Sequence, residues 1–197
     1  GMSSMPEFAR TLAAVVAHES RGRAPHAVIA HSFGCSGAAL ALSWGLEVDR
    51  LVFLAPAANP PAWVEPFVRA LQLQPHVLER VRARSEQRIR ARWDDLDVCA
   101  ITTRLSHHPP LLIVHDTDDD TVLWNDGAAI ACAWPGAQLV TTAGLGHRGV
   151  THDGDVVRRV VDFVVGARSA HWFIIESQRL EHELFYREER VHASGVT

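Results

Sequence analysis

Several features that mark special classes of protein are missing from this 197-residue sequence. It has no run of about 20 apolar residues, the length that a helix needs to cross a bilayer, and its N-terminus lacks the pattern of a secretory signal. It also has no long block of like charge, and its formal net charge is only -4. We therefore expect a cytoplasmic protein that binds neither membranes nor nucleic acid.

Cysteine is scarce as well. The three cysteines, Cys35, Cys99 and Cys132, are far apart and have neither the spacing of a zinc site nor the even number of a disulfide framework. We expect reduced thiols that pack as small apolar residues, and no metal ion. Of the whole chain, 47% is apolar and 21% is charged, which is enough apolar material for one globular domain with a core.

Three short apolar runs and one further strand-like segment alternate with helical patterns along most of the chain. The runs predict strands at 27–30, 51–54 and 111–114, the further segment predicts a strand at 137–142, and the helical patterns predict helices at 5–19, 34–44, 125–133 and 155–165. Such alternation indicates a mainly parallel sheet of about four strands with helices packed on it. Continuous apolar runs are typical of strands buried on both faces, and we expect this of the first strand. In the first helix, the apolar face is predicted to contain Phe8, Leu12, Val15 and Val16.

Two segments do not fit this alternation. Residues 57–108 are rich in arginine and have helical periodicity, so we expect a helical insertion whose arginines form a solvated face. The tail at 167–197 is atypical: residues 172–176 have a strand-like pattern, and a more helical pattern follows. All of these segments are taken as parts of a single domain, and the sequence assigns no role to the tail.

Ser32 lies between the first apolar strand and an alanine-rich helical pattern, with Ala30 two residues before it and Gly34 two residues after it. A sharp, strained turn between strand and helix needs small residues at these two places, and this turn is the nucleophile elbow. It would expose Ser32 at the start of the helix, where the Phe33 N–H can face an oxyanion. A serine at this position is also typical of an ordinary helix cap, and the pattern alone leaves both interpretations open.

Two later strands are followed by residues that could act together with Ser32. The third ends in an acidic stretch at 115–122, and the fourth ends in a glycine-rich loop that leads to His147. Because the carboxyl ends of parallel strands meet at one edge of a sheet, Ser32, an acid and His147 can converge there. The chain order serine, acid, histidine is that of one class of serine hydrolases. The acidic stretch could instead be a capping turn or a metal site, but no comparable strand end supplies further carboxylates.

The stretch at 6–165 resembles the C-terminal two-thirds of bacterial α/β-hydrolases of the esterase and lysophospholipase-like kind. The motifs that carry the resemblance are Ala-His-Ser-Phe-Gly at 30–34, His-Asp-x-Asp-Asp-x-x-Val at 115–122, and Trp-Pro-Gly-Ala at 134–137 leading to Gly-Leu-Gly-His at 144–147. The resemblance implies a truncated α/β-hydrolase fold in which residues 57–108 form the cap. It also implies a catalytic triad of Ser32, Asp119 and His147, with Asp118 as the main rival for the acid.

A serine esterase that needs no cofactor, and that acts on a small carboxylic ester or thioester, is the function implied by this resemblance. The family normally begins with four further strands, and a loop among them supplies a second oxyanion donor. Losing one such donor typically costs about 3 kcal/mol, so we expect weak activity. A catalytically inactive remnant or interaction module is the first alternative, and an acyltransferase or cofactor-free perhydrolase is the second.

Without its usual neighbour, the strand at 27–30 would leave an apolar edge open. We expect either a homodimer joined across this strand (Ala27, Val28, Ile29 and Ala30) or pairing with the tail segment at 172–176. Three residues near the predicted site are expected to be structural only: His31, His115 and Cys35.

Overall fold

The protein is described by a computed structural model that covers residues 4–20 and 23–166. Its centre is a sheet of four parallel strands, in the order β1, β2, β3, β4. The strands are β1 (Val28–His31), β2 (Leu51–Leu54), β3 (Leu111–Asp116) and β4 (Gln138–Thr142). The predicted fold class, a parallel sheet of about four strands flanked by helices, is confirmed.

Helices pack on both faces of this sheet, and further helices lie in the segment between β2 and β3. The helices are α1 (Met5–Glu19), α2 (Phe33–Ser43), α3 (Val64–Ala70), α4 (Pro75–Ile89), α5 (Val98–Thr102), α6 (Trp124–Ala133), α7 (Gly146–Gly149) and α8 (Gly154–Val165). Side chains alternate along a strand, so Leu51 and Phe53 pack with α1, α2, α5 and α6, whereas Val52 and Leu54 pack with α8. Within the described ranges, no helix is long and apolar enough to span a bilayer.

The predicted apolar face of α1 is confirmed only in part, although the helix has the predicted ends. Leu12 of that face packs against the core, but the most buried residues are others. Met5 and Ala9 are buried, whereas Phe8 is 43% and Val15 is 53% exposed. The reason is that α1 packs closely on α2 through small residues: a Cβ on Gly37 would lie 2.9 Å from the Cβ of Phe8. Periodicity finds the large apolar side chains, but in this contact close backbone approach decides which face is buried.

The first strand is not buried on both faces, as its apolar run had predicted. Val28 and Ala30 pack against the core, but Ile29 on the opposite face is 55% exposed. β1 pairs with β2, and no strand among the described residues pairs with its other edge. Dimerisation through this edge therefore stays a prediction, and the tail segment at 172–176 lies outside the described residues.

The segment predicted as an insertion contains the helices α3, α4 and α5. It is anchored to the core by Val98 and Ile101 of α5, which are fully buried. Arg82 of α4 bonds to Glu86 at 3.1 Å and to Asp94 at 2.8 Å, so not all of the arginines are simply solvated. Such exposed ion pairs contribute little to stability because solvent screens them, so the buried α5 is the main anchor of the segment.

Candidate active site

The carboxyl ends of the four strands form one edge of the sheet, and the predicted site residues lie there. Ser32 directly follows β1, Asp119 lies three residues after the end of β3, and His147 lies five residues after the end of β4. The structure brings these three side chains into contact although 115 residues of chain separate Ser32 from His147.

Ser32 has a backbone conformation that is rare for a residue with a side chain. Its φ is 55° and its ψ is -128°, and such strain costs on the order of 1–3 kcal/mol. Its N–H donates to Leu54 O at 2.9 Å, which ties the turn to the end of β2. The Ser32 side chain makes no capping hydrogen bond to α2, and its Oγ lies 2.9 Å from His147 Nε2 instead. The geometry is that of the predicted elbow and not of an ordinary helix cap.

The other ring nitrogen of His147 contacts Asp119. The distance from His147 Nδ1 to Asp119 Oδ2 is 2.8 Å, and Asp119 is only 3% exposed. Its Oδ1 accepts backbone N–H groups from Thr121 at 2.9 Å and from Val122 at 2.8 Å. Burial opposes ionisation, but these bonds and the contact with His147 outweigh it and hold the pKa of Asp119 below its ordinary value. Asp119 is therefore a fixed carboxylate at neutral pH.

Asp118, the rival for the acid, has a different partner. Its Oδ2 accepts the N–H of Gly144 at 2.8 Å, so its carboxylate binds the backbone of the loop that precedes His147. The imidazole of His147 contacts Asp119 and not Asp118. Of the two candidates, only Asp119 has the geometry of a triad acid.

A second histidine, His115, lies beside Asp119. It is fully buried, and its Nε2 lies 3.4 Å from Asp119 Oδ2 and 2.9 Å from Val122 O. Because Val122 O can only accept, the proton of His115 is on Nε2, and desolvation lowers the pKa of this histidine so that it stays neutral. Its Nδ1 has no hydrogen-bond partner among the described residues and faces Gly127, where a Cβ would lie 2.4 Å away. One ring nitrogen of this buried histidine is therefore unsatisfied within the described part of the chain.

His31, the residue before Ser32, contacts the backbone of His147. Its Nε2 lies 2.9 Å from the carbonyl oxygen of His147, and the two imidazole rings are 4.7 Å apart. The end of β1 thus contacts His147 through the side chains of two successive residues. The sequence offered no signal for this contact, because a histidine at a strand end is usually structural.

The first N–H of α2 belongs to Phe33. A helix leaves its first N–H groups without partners in a preceding turn, and the partial positive charge at its N-terminus favours an anion there. The ring of Phe33 packs edge to face on Phe8, with the ring centroids 5.4 Å apart. This contact packs the first turn of α2 against α1.

Other reactive groups near the site are held in structural contacts. Cys35 is fully buried, and burial raises the pKa of its thiol strongly, so it is not a competing nucleophile. Among the described residues, no group of three or more histidine, cysteine or acidic side chains is arranged to hold a metal ion. The carboxylates of the acidic stretch bind backbone amides and side chains of the two loops.

A comparison with protein-family models finds no match, and a comparison with curated proteins finds none either. Solved structures are similar: a hydrolase from Pseudomonas aeruginosa PA01 (TM-score 0.57, 20% identity), a bromoperoxidase from Bacillus anthracis (0.56, 14%) and an esterase from Rhodococcus sp. ECU1013 (0.55, 17%). The likeness covers 85%, 83% and 83% of this chain, respectively, and 74% of each of those chains. Together with the strand order and the helix placement, it shows that this chain has the α/β-hydrolase fold.

Proposed function

We propose that this protein is a serine hydrolase that cleaves a small carboxylic ester or thioester by acyl transfer to water. The observation that carries the proposal is the continuous contact from Ser32 Oγ through both nitrogens of His147 to Asp119, at 2.9 Å and 2.8 Å. These are the distances of a nucleophile, a base and an acid that orients the base. The strained backbone of Ser32 supports the same proposal, because strain of this kind is typical of functional sites.

In the first half of the reaction, His147 Nε2 removes the proton of Ser32 while Oγ attacks the carbonyl carbon of the ester. The carbonyl oxygen becomes an oxyanion, to which the Phe33 N–H donates. The protonated His147 then gives its proton to the alcohol oxygen, and the bond between carbon and alcohol breaks. An acyl group remains on Ser32, and Asp119 stabilises the imidazolium that forms in between.

In the second half, water attacks the acyl group. His147 Nε2 takes one proton from this water, the second oxyanion forms, and the bond to Ser32 Oγ breaks as His147 returns the proton to it. A carboxylic acid leaves and the starting state is restored. All protons are exchanged through His147, so the reaction needs no cofactor or co-reactant other than water.

Oxyanion stabilisation sets the expected rate. A second donor is worth about 3 kcal/mol, or 10²- to 10³-fold in rate, and a site with the Phe33 amide alone would turn over slowly. Acylation can still be seen when turnover is slow, because one equivalent of alcohol is released per protein chain. The test of the proposal therefore measures the first turnover as well as the steady state.

The experiment uses nitrophenyl acetate and nitrophenyl butyrate with the wild type, Ser32→Ala and the control Ser43→Ala, whose serine lies at the other end of α2. We expect a burst of one nitrophenol per chain in the wild type and the control, and none in Ser32→Ala. A folded wild type that shows neither burst nor turnover would favour the inactive remnant. Added alcohol or peroxide that intercepts the acyl group faster than water does would favour the acyltransferase or the perhydrolase.

A further inference from the structure

Asp119 and His147 lie on two different loops, and the contact between them depends on how these loops are held together. The loop before His147 contains Gly144 and Gly146, both with positive φ, at 81° and 62°. Glycines with such freedom allow a loop many conformations, so the position of His147 has to be selected by other contacts. The side chain that makes most of these contacts is Asp116.

Asp116 is the last residue of β3, and it pairs in register with Thr142, the last residue of β4. Its side chain is fully buried. Its Oδ2 accepts the hydroxyl of Thr142 at 2.6 Å and the N–H of Leu145 at 3.1 Å, and its Oδ1 accepts the N–H of Asp118 at 2.9 Å. The backbone N–H of Gly146 adds to the electrostatic stabilisation of the same carboxylate.

These donors come from both loops of the site. Asp118 belongs to the loop that carries Asp119, whereas Leu145 and Gly146 directly precede His147. Burial opposes the charge of Asp116, but these hydrogen-bond donors outweigh it and keep the pKa of Asp116 below its ordinary value. One buried carboxylate thus binds the backbone on both sides of the contact between acid and histidine.

We propose that Asp116 is a positioning residue, which holds the loop at 143–147 so that His147 meets Asp119 and Ser32 at hydrogen-bond distance. The inference rests on the proposed function. The hydrogen bonds of Asp116 within the described residues reach neither Ser32 nor the ring of His147, so it acts through the backbone that carries His147. A misplacement of about 1 Å in such a site can cost about 100-fold in rate, so an effect on reactivity without loss of the fold is expected.

The test compares Asp116→Asn with Asp120→Asn, a matched change at an exposed carboxylate of the same acidic stretch. Asparagine has nearly the same shape, but its NH₂ group must face at least one N–H donor of the two loops. We expect Asp116→Asn to react with a fluorophosphonate about 10- to 100-fold more slowly, to lower kcat equally, and to leave KM within about twofold. Asp120→Asn should match the wild type in all three values.

A second readout, which does not depend on activity, is the downfield proton resonance of the bond between His147 Nδ1 and Asp119. It should be present in the wild type and in Asp120→Asn, and shifted or lost in Asp116→Asn. If Asp116→Asn does not fold, Thr142→Val removes only the 2.6 Å bond and should show the same changes to a smaller extent.

A folded Asp116→Asn protein with the wild-type labelling rate and an unchanged resonance would overturn the inference. If Asp116→Asn does not fold and Thr142→Val is used instead, a wild-type labelling rate and an unchanged resonance in Thr142→Val would overturn the inference. A failure of the proposed function looks different, because the wild type itself would then not react with the fluorophosphonate, while the resonance would still report whether Asp116 positions His147.

Discussion

Replacing Asp119 by asparagine should prevent His147 from acting as a base, although asparagine keeps nearly the shape of the aspartate side chain. Asp119 Oδ1 accepts two backbone N–H groups, from Thr121 and Val122. In the Asp119→Asn variant, the amide oxygen has to occupy the position of Oδ1, because the opposite orientation would place the NH₂ group against two donors. The NH₂ group therefore faces His147 Nδ1, where Oδ2 stood at 2.8 Å.

The consequence is a change of tautomer. Next to an NH₂ donor, His147 Nδ1 has to accept, so the proton of the neutral imidazole moves to Nε2 and points at Ser32. Such a ring cannot remove the proton of Ser32. The same change in a serine-protease triad lowers kcat by about 10⁴-fold, equivalent to about 5 kcal/mol, and we expect a loss of this size here.

The assay is the second-order rate of labelling by a fluorophosphonate at pH 7, followed by intact mass, with ester turnover beside it. Asp118→Asn is the matched control, because Asp118 binds Gly144 N–H and does not touch His147. We expect it to react within about tenfold of the wild type. Equal rates for Asp119→Asn and the wild type, or a larger loss in Asp118→Asn than in Asp119→Asn, would refute this assignment of the acid.

Three further predictions concern stability and thiol reactivity. Gly127→Ala places a Cβ 2.4 Å from His115 Nδ1 and should destabilise the protein by about 1–3 kcal/mol in urea unfolding; an unchanged midpoint would contradict this packing. Burial holds the pKa of His115 below its ordinary value of 6.5, so its neutral form contributes stability that is full above pH 6.5 and is lost as the pH falls. In His115→Gln, the free energy of unfolding should therefore decline less steeply between about pH 7 and pH 5 than in the wild type. An equally steep decline in both proteins would argue against this role of His115. Iodoacetamide should modify exposed Cys132 before buried Cys35 in the native protein, as peptide mass mapping would show; the reverse order would contradict the burial of Cys35.

The sheet could be predicted because its strands are encoded in short apolar runs. Strands buried on both faces have continuous apolar sequences, and β2 and β3 follow this rule. The same rule failed for β1, where Ile29 is exposed, since the burial of one face depends on which elements cover it and not on the strand's own residues. The face of α1 was predicted only in part for a similar reason, because its contact with α2 depends on the small size of Gly37.

The candidate site was predictable to the extent that it depends on topology. Parallel strands place Ser32 and the loops with Asp119 and His147 at one edge, and the order along the chain then suggests their roles. The contacts of His115, His31 and other supporting residues could not be predicted, because they depend on side-chain rotamers and on loop conformations. Several residue types would fit the same strand-end pattern without making these contacts.

The measurement that tests the nucleophilic role of Ser32 most directly is labelling of the wild type by a fluorophosphonate, read by intact mass, beside Ser32→Ala and Ser43→Ala. We predict one adduct per chain in the wild type and in Ser43→Ala, and none in Ser32→Ala. An unlabelled wild type with a cooperative unfolding transition, or an adduct that persists in Ser32→Ala, would contradict the proposal that Ser32, His147 and Asp119 act as a catalytic triad.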